Sequence, residues 1–283
     1  MVIVRLIGGL GNQLFQYAAA RRIAHKNGVP LKIDITPFSE YKLHKYSLGS
    51  FNIAASFATP AEIAKAKGVW HRLLSRFQPY YLRSIVKEQY FHFDSNILKV
   101  SGNAYLDGYW QTEKYFQDIE ALIRNELAIK IKPDSENIRI AEGIATSNAI
   151  SLHVRRGDYV NNSKTNEVHG TCSLAYYREA TEIIARKIPN PHFFIFSDDP
   201  VWVQQNLKIE YATSYVTNND ADKNYEDLRL MSLCKHHIIA NSSFSWWGAW
   251  LNPSSEKIVV APKKWFANEN NVKDLFPQGW LTL

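Results

Sequence analysis

Two arginines stand side by side in His153-Val154-Arg155-Arg156-Gly157-Asp158-Tyr159, directly after a strand-like run at 149–154. A guanidinium at a strand end suits a phosphate, because its forked N–H donors match phosphate oxygens. One arginine can face the anion while the other pairs with Asp158. The competing reading is a solvated arginine pair with a structural ion pair. A second segment, Asn241-Ser242-Ser243-Phe244-Ser245-Trp246-Trp247-Gly248, follows a strand-like run at 236–240 and opens a helix. Its serines are good helix caps, and the same hydroxyls and N–H groups can hold a diphosphate on the positive helix end.

Three further segments carry polar chemistry. Gly8-Gly9-Leu10-Gly11-Asn12-Gln13 reads as a turn before a helix, but Gln13 stands where a dinucleotide fingerprint needs its third glycine. Asn12 and Gln13 can instead bond sugar hydroxyls or a phosphate. Ser197-Asp198-Asp199 ends a strand, where a carboxylate can accept from a ribose hydroxyl or a guanine amino edge, or cap the next helix. Tyr105-Leu106-Asp107-Gly108-Tyr109-Trp110-Gln111 brings aromatic rings to a strand end, where they can stack on a sugar or fill the core. Asp220-Ala221-Asp222 is a weak metal-binding pattern. His236-His237 begins a strand whose side chains alternate, which disfavours a chelate. Gly-x-Ser-x-Gly, Walker A and His-Glu-x-x-His patterns are absent from the sequence, which speaks against common hydrolase and NTPase sites.

The elements that must position these groups follow a βα rhythm. Strands are expected at 2–7, 30–35, 104–109, 149–154, 192–197, 214–216, 236–240 and 257–261. Helices are expected at 13–26, 115–127, 136–145, 174–188, 201–207, 224–234 and 244–251. Residues 36–100 give no clear pattern. Such alternation predicts parallel sheets covered by helices, with ligands at the strands' carboxyl ends.

The 283 residues suffice for two domains, expected at 1–135 and 136–283 with a hinge at 130–135 and the extreme C-terminus free to pack back on the first. The two cysteines, Cys172 and Cys234, allow neither a disulfide framework nor a cysteine-based zinc site, and are expected as buried free thiols. Met1 leads straight into a strand-like run and no transmembrane stretch occurs, so a cytoplasmic location without a leader is expected. The net charge of +6 suits an anionic ligand and does not demand nucleic acid. Lys65, Lys67, Arg72, Arg76, Arg83 and Lys87 are opposed only by Glu88 between residues 63 and 92, with aromatics interleaved. That stretch is either a solvated basic face or a contact for the inner membrane surface.

Together, Gly9-Leu10-Gly11-Asn12-Gln13-Leu14-Phe15-Gln16-Tyr17-Ala18, Gly108-Tyr109-Trp110-Gln111, His153 to Tyr159, Ser197-Asp198-Asp199 and Ser242 to Leu251 resemble the α-1,2-fucosyltransferases of glycosyltransferase family 11. The resemblance implies a GT-B-like α/β fold, two Rossmann-like domains facing a central cleft. It implies inverting transfer of L-fucose from GDP-β-L-fucose to the 2-OH of a terminal β-galactoside, with the nucleotide sugar a co-substrate and neither cofactor nor metal. It places Arg155 on the β-phosphate, supported by Arg156 and Asp158, with His153 in the same catalytic segment. The donor set it implies is Asn12, Gln13, Arg155, Arg156, Ser197, Asp198, Ser242, Ser243, Phe244 and Ser245. Tyr109, Trp110, Gln111 and His169 are the acceptor candidates. A base for the acceptor hydroxyl is open among Asp158, Glu167 and His169. The implied partner is an oligosaccharide or lipid-linked glycan. Competing readings are another fucose linkage or acceptor and a non-catalytic carbohydrate-binding protein.

Overall fold

The computed structural model describes residues 1–41, 43–68, 77–157, 170–267 and 272–283. The chain divides into two compact units: Met1–Lys130 with Asn271–Pro277, and Ile131–Asn270 with Gln278–Leu283.

The first unit is built on a parallel sheet of β1 (Val2–Arg5), β2 (Leu31–Asp34), β3 (Ser56–Phe57), β4 (Ile85–Lys87) and β5 (Ala104–Asp107). Their order across the sheet is β3-β2-β1-β5-β4. The chain leaves central β1 through β2 and β3, crosses to the other side as edge strand β4, and comes back beside β1 as β5. The carboxyl ends of β1 and β5 therefore flank the point where the winding reverses, the usual place for a ligand in an open α/β sheet.

Helix α1 spans Leu10–Lys26 and starts three residues earlier than expected, so Gly11 and Asn12 lie in its first turn. Gly9 caps it by accepting the N–H groups of Asn12 and Gln13. Gly8 precedes with φ +85, and a Cβ there would meet the Asn12 amide at 2.6 Å, so the position requires glycine. Most of α1 is buried, which is why its apolar spacing is blurred. On the opposite flank of the sheet, Ile63 of α2 (Pro60–Ala66) packs with Ile3 and Tyr105. The expected helix at 115–127 is only α3 (Glu120–Glu126). Before it, Thr112 caps one 3-10 turn and Phe116, at φ -144 and ψ 6, opens another.

The second unit holds β6 (Asn148–Val154), β7 (Pro191–Ser197), β8 (Ala212–Val216), β9 (His236–Ile238), β10 (Val259–Ala261) and β11 (Leu281–Thr282), all parallel, in the order β11-β10-β9-β6-β7-β8. Its helices are α4 (Ser135–Ala145), α5 (Leu174–Ala185), α6 (Pro200–Asn206), α7 (Asn224–Leu233) and α8 (Ser243–Leu251). Strand alternation sorts the core. Ile150, Leu152, Phe193 and Ile195 pack with Tyr177 and Ile184 of α5 and Val203 of α6. Ala149, Phe194 and Phe196 pack with Ile144 of α4 and Leu230 and Met231 of α7. Here the winding reverses between β6 and β9. The closing strand β11 lies in this second sheet, whereas the preceding segment belongs to the first unit, where Asp274 accepts the Phe93 N–H at 3.2 Å.

Candidate active site

The loop after β6 carries the arginine pair, and a neighbouring carboxylate holds it. Asp198, just past the end of β7, accepts the Arg156 N–H at 2.8 Å on one oxygen and the Gly157 N–H at 2.9 Å on the other. Arg155 Nε lies 3.2 Å from the same carboxylate. A Cβ on Gly157 would come within 3.0 Å of it, so glycine allows the loop to sit this close. Asp198, expected to hold a nucleoside, thus spends both oxygens on the loop. Arg156 stacks its guanidinium 3.6 Å from the Trp202 ring centre and lies 3.7 Å from Asp199. Asp199 also caps α6 through the Trp202 N–H, while Ser197 accepts the Asp199 N–H.

Across the winding reversal, Ser242 caps α8 by accepting the Phe244 N–H at 3.3 Å. Ser245 is buried and bonds back to the Ser242 carbonyl, leaving Ser243 and Phe244 half-buried at the helix start. His153, the last-but-one residue of β6, packs its ring 5.7 Å from that of Phe244. Burial first, and then the Arg155 charge, lower its pKa to about 3. The imidazole is therefore neutral at physiological pH, a weak base that backs the arginine loop. Asn241, three residues past β9, donates to the Gly170 and Trp265 carbonyls.

In the first unit the polar residues of the glycine segment mostly hold backbone. Gln13 is fully buried and bridges the Gly8 and Lys45 carbonyls and the Ser47 N–H, so it shapes the loop rather than offering a free amide. Gln16 accepts the Ile7 N–H. Tyr17 donates to Glu126, which Arg21 grips bidentately at 2.8–3.0 Å, fastening α1 to α3. Asn12 is half-buried and accepts from the Gln111 amide at 2.8 Å. Trp110, expected to stack on a sugar, is 1% exposed and packs edge-on against Tyr115, a core role. Tyr109 beside it is 41% exposed.

The sequence reading missed Glu88. This carboxylate, just past β4, accepts the N–H groups of Tyr109 at 2.7 Å and Trp110 at 2.8 Å. It repeats in the first unit what Asp198 does in the second: an acid ending one strand grips two consecutive N–H groups of the loop that follows its neighbour. Its isolation within the basic stretch was the available signal. Of that stretch, Lys67 turns to Asp34 at 3.4 Å and over the Tyr105 ring, and Arg83 bonds the Gln78 carbonyl. Asp158, Glu167, His169, Arg72 and Arg76 lie outside the described residues.

Other marked residues are structural. His237 bonds Ser151 and Asn252, His236 accepts the Ile258 N–H, and Asp220 caps the turn before α7 through the Asp222 and Lys223 N–H groups. Cys234 is a buried free thiol. Cys172 is free but only half-buried.

Two doubly wound parallel units, one with guanidinia clamped beside a serine-capped helix at its winding reversal, define a GT-B-like glycosyltransferase. The profile of Glycosyl transferase family 11 matches residues 4–283, and the chain belongs to that family. It is 34% identical to an alpha-1,2-colitosyltransferase of Escherichia coli, over 100% of this chain and 99% of the relative. It is 32% identical to the O-antigen biosynthesis glycosyltransferase WbnK of Escherichia coli, over 98% and 99% respectively. Among solved structures, the NodZ alpha-1,6-fucosyltransferase soaked with GDP-fucose has the same fold, with TM-score 0.50 and 19% identity, covering 89% of this chain and 92% of that one.

Proposed function

We propose that the protein transfers L-fucose from GDP-β-L-fucose, with inversion, to the 2-OH of a terminal β-galactoside on a bacterial surface glycan. The observation that carries this reading is the Asp198-clamped Arg155–Gly157 loop beside the start of α8, which fixes two guanidinia at the winding reversal of the second sheet. Transfer breaks the bond from fucose C1 to the β-phosphate oxygen, and its electron pair leaves with GDP. The acceptor O2 bonds to C1 and loses its proton to a base or water. Arg155 and the N–H dipoles of α8 stabilise the departing charge in place of a metal, while positive charge develops on the sugar ring. The family membership, the α-1,2 linkage in the first relative's name and the GDP-fucose soaked into NodZ support the donor and linkage.

A second donor is favoured by the whole-length similarity to a colitosyltransferase. Colitose is fucose without its 3-hydroxyl. A pocket that bonds this hydroxyl with buried polar groups rejects colitose by a factor on the order of 10⁴, whereas an apolar lining accepts both sugars. The test is a panel of GDP-sugars with β-galactoside acceptors, run with and without excess EDTA, with the product linkage read by NMR. The expected result is an α-1,2-fucosylated galactoside, formed equally with chelator. Exclusive use of GDP-colitose would replace the donor. Loss of activity in EDTA, restored by Mn²⁺, would overturn the metal-free reading.

A further inference from the structure

The loop after β5 is held in a conformation that its own residues resist. Trp110 has φ +57, a left-handed backbone that a bulky residue rarely adopts. A Cβ on Gly108 would sit 2.5 Å from the Glu88 Cβ and 2.8 Å from the Trp110 ring, so only glycine fits. The two N–H bonds to Glu88 hold this shape. Its result is a pair of opposite placements, with the Trp110 ring sunk in the core and the Tyr109 ring turned outward. Strain of this kind persists where surrounding structure enforces it, and it gathers at functional sites.

Beside that ring, the carboxyl ends of β1 and β5 bring Arg5 and Asp107 together at 2.9 Å, with side chains 33% and 26% exposed. Only one guanidinium N–H and one carboxylate oxygen are used in this contact. The other donors and the second oxygen have no partner among the described residues. Asp107 stands two residues before Tyr109 and pairs across the sheet with Lys87, the neighbour of Glu88, so all four groups lie at the same strand ends. A partly exposed pair that bonds only once contributes little to folding, so stability alone is a thin reason for it. A pyranose presents what this arrangement lacks: adjacent hydroxyls that both donate and accept, and an apolar face that covers an aromatic ring.

We propose that Tyr109 and the Arg5–Asp107 pair form a sugar subsite for the terminal residue of the acceptor, and that Glu88 is the positioning residue that sets the Tyr109 ring. The assignment rests on the glycosyl-transfer reading above. It adds Arg5, Asp107 and Glu88 to the groups that reading requires.

The experiment compares wild type with Asp107→Asn, Tyr109→Ala and Glu88→Gln. Acceptor KM and kcat are measured, together with saturation-transfer NMR of methyl β-D-galactopyranoside on the protein without donor, and GDP affinity by calorimetry. Asp107→Asn and Tyr109→Ala are expected to raise acceptor KM at least about 10-fold, the value of one or two lost hydrogen bonds, and to abolish the NMR transfer. GDP affinity stays as in wild type. In wild type, acceptor KM is expected to rise as pH falls and Glu88 takes a proton, whereas Glu88→Gln is raised and flat with pH. Unchanged acceptor KM in both Asp107→Asn and Tyr109→Ala would overturn the subsite, as would galactoside transfer equal to wild type in those variants. If wild type transfers no sugar from any GDP donor, the proposed function fails, and the NMR comparison still decides the subsite.

Discussion

At the residue scale, the carboxylates at 88 and 198 matter more than their sequence surroundings suggest. A side chain that accepts two consecutive N–H groups fixes where the next side chains point, and so acts on a ligand it does not touch. This separates two roles for Asp198. A nucleoside-holding Asp198 would raise donor KM on substitution by asparagine and leave kcat intact. A loop-holding Asp198 would lower kcat together with Arg155, since one carboxylate oxygen of Asp198 bonds a backbone N–H and the other bonds both a backbone N–H and Arg155. We expect Arg155→Ala to lose at least about 100-fold in kcat, the usual scale for removing one group that stabilises developing charge. Asp198→Asn is expected to lose kcat in the same direction, because one of the two accepting oxygens becomes an NH2 donor facing a backbone N–H. Both should unfold at the wild-type temperature. Steady-state kinetics with GDP-fucose check this, and Asp198→Asn with raised donor KM and normal kcat would return that residue to the nucleoside.

At the scale of elements, α4, α7 and the loop after β8 meet through amides rather than apolar packing alone. Asn137 of α4 bonds Asn218 and Asn219, and Asn219 donates to Asp227 of α7 at 2.7 Å. Burial raises the Asp227 pKa to about 7, with Glu226 adding to the rise and the Asn219 bond opposing it. The unfolded chain has an ordinary aspartate there, near 3.9. Between those values the folded protein holds a proton that the unfolded chain has lost. Stability therefore falls as pH climbs from about 4 through 7, and the full penalty is present above about 8. Urea midpoints at about pH 5.5 and about pH 8 should show this drop in wild type and a smaller one in Asp227→Asn, whose amide oxygen still accepts from Asn219. An equal drop in both proteins would remove Asp227 from the account. The same elements show what was readable in advance. The β-branched and aromatic runs at 149–154 and 192–197 announced β6 and β7, because strands buried on both faces carry continuous apolar sequence. β3, with both residues exposed, and the three-residue β4 had no such pattern, so the first sheet was legible only in part. The arginine loop and the serine-capped helix were legible because their polar residues sit at strand ends. Glu88 and Arg5 were not, because their partners are 21 and 102 residues away and no local pattern records a contact across a sheet.

At the scale of the whole molecule, the +6 charge is unevenly deployed. Part of it is paired with carboxylates: Lys67 contacts Asp34, and Arg21 contacts Glu126. Lys65 and Lys87 remain exposed in the first unit, in the same stretch as Phe77, which is 94% exposed, and Leu82, at 45%. No helix among the described residues is long and apolar enough to cross a membrane. Any attachment through this stretch would be peripheral, with aromatic side chains entering the headgroup layer and lysines drawn by anionic lipid at about 1 kcal/mol each. Such a contact would bring the enzyme to a lipid-linked acceptor. We expect the protein to co-sediment with vesicles containing phosphatidylglycerol and not with pure phosphatidylcholine. Binding should weaken as salt shortens the screening length to about 3 Å at 1 M. Phe77→Ser should bind less at low salt, because the apolar contribution is lost while the charge is kept. Equal sedimentation with neutral and anionic vesicles, or none with either, would leave the exposed lysines as a solvated face.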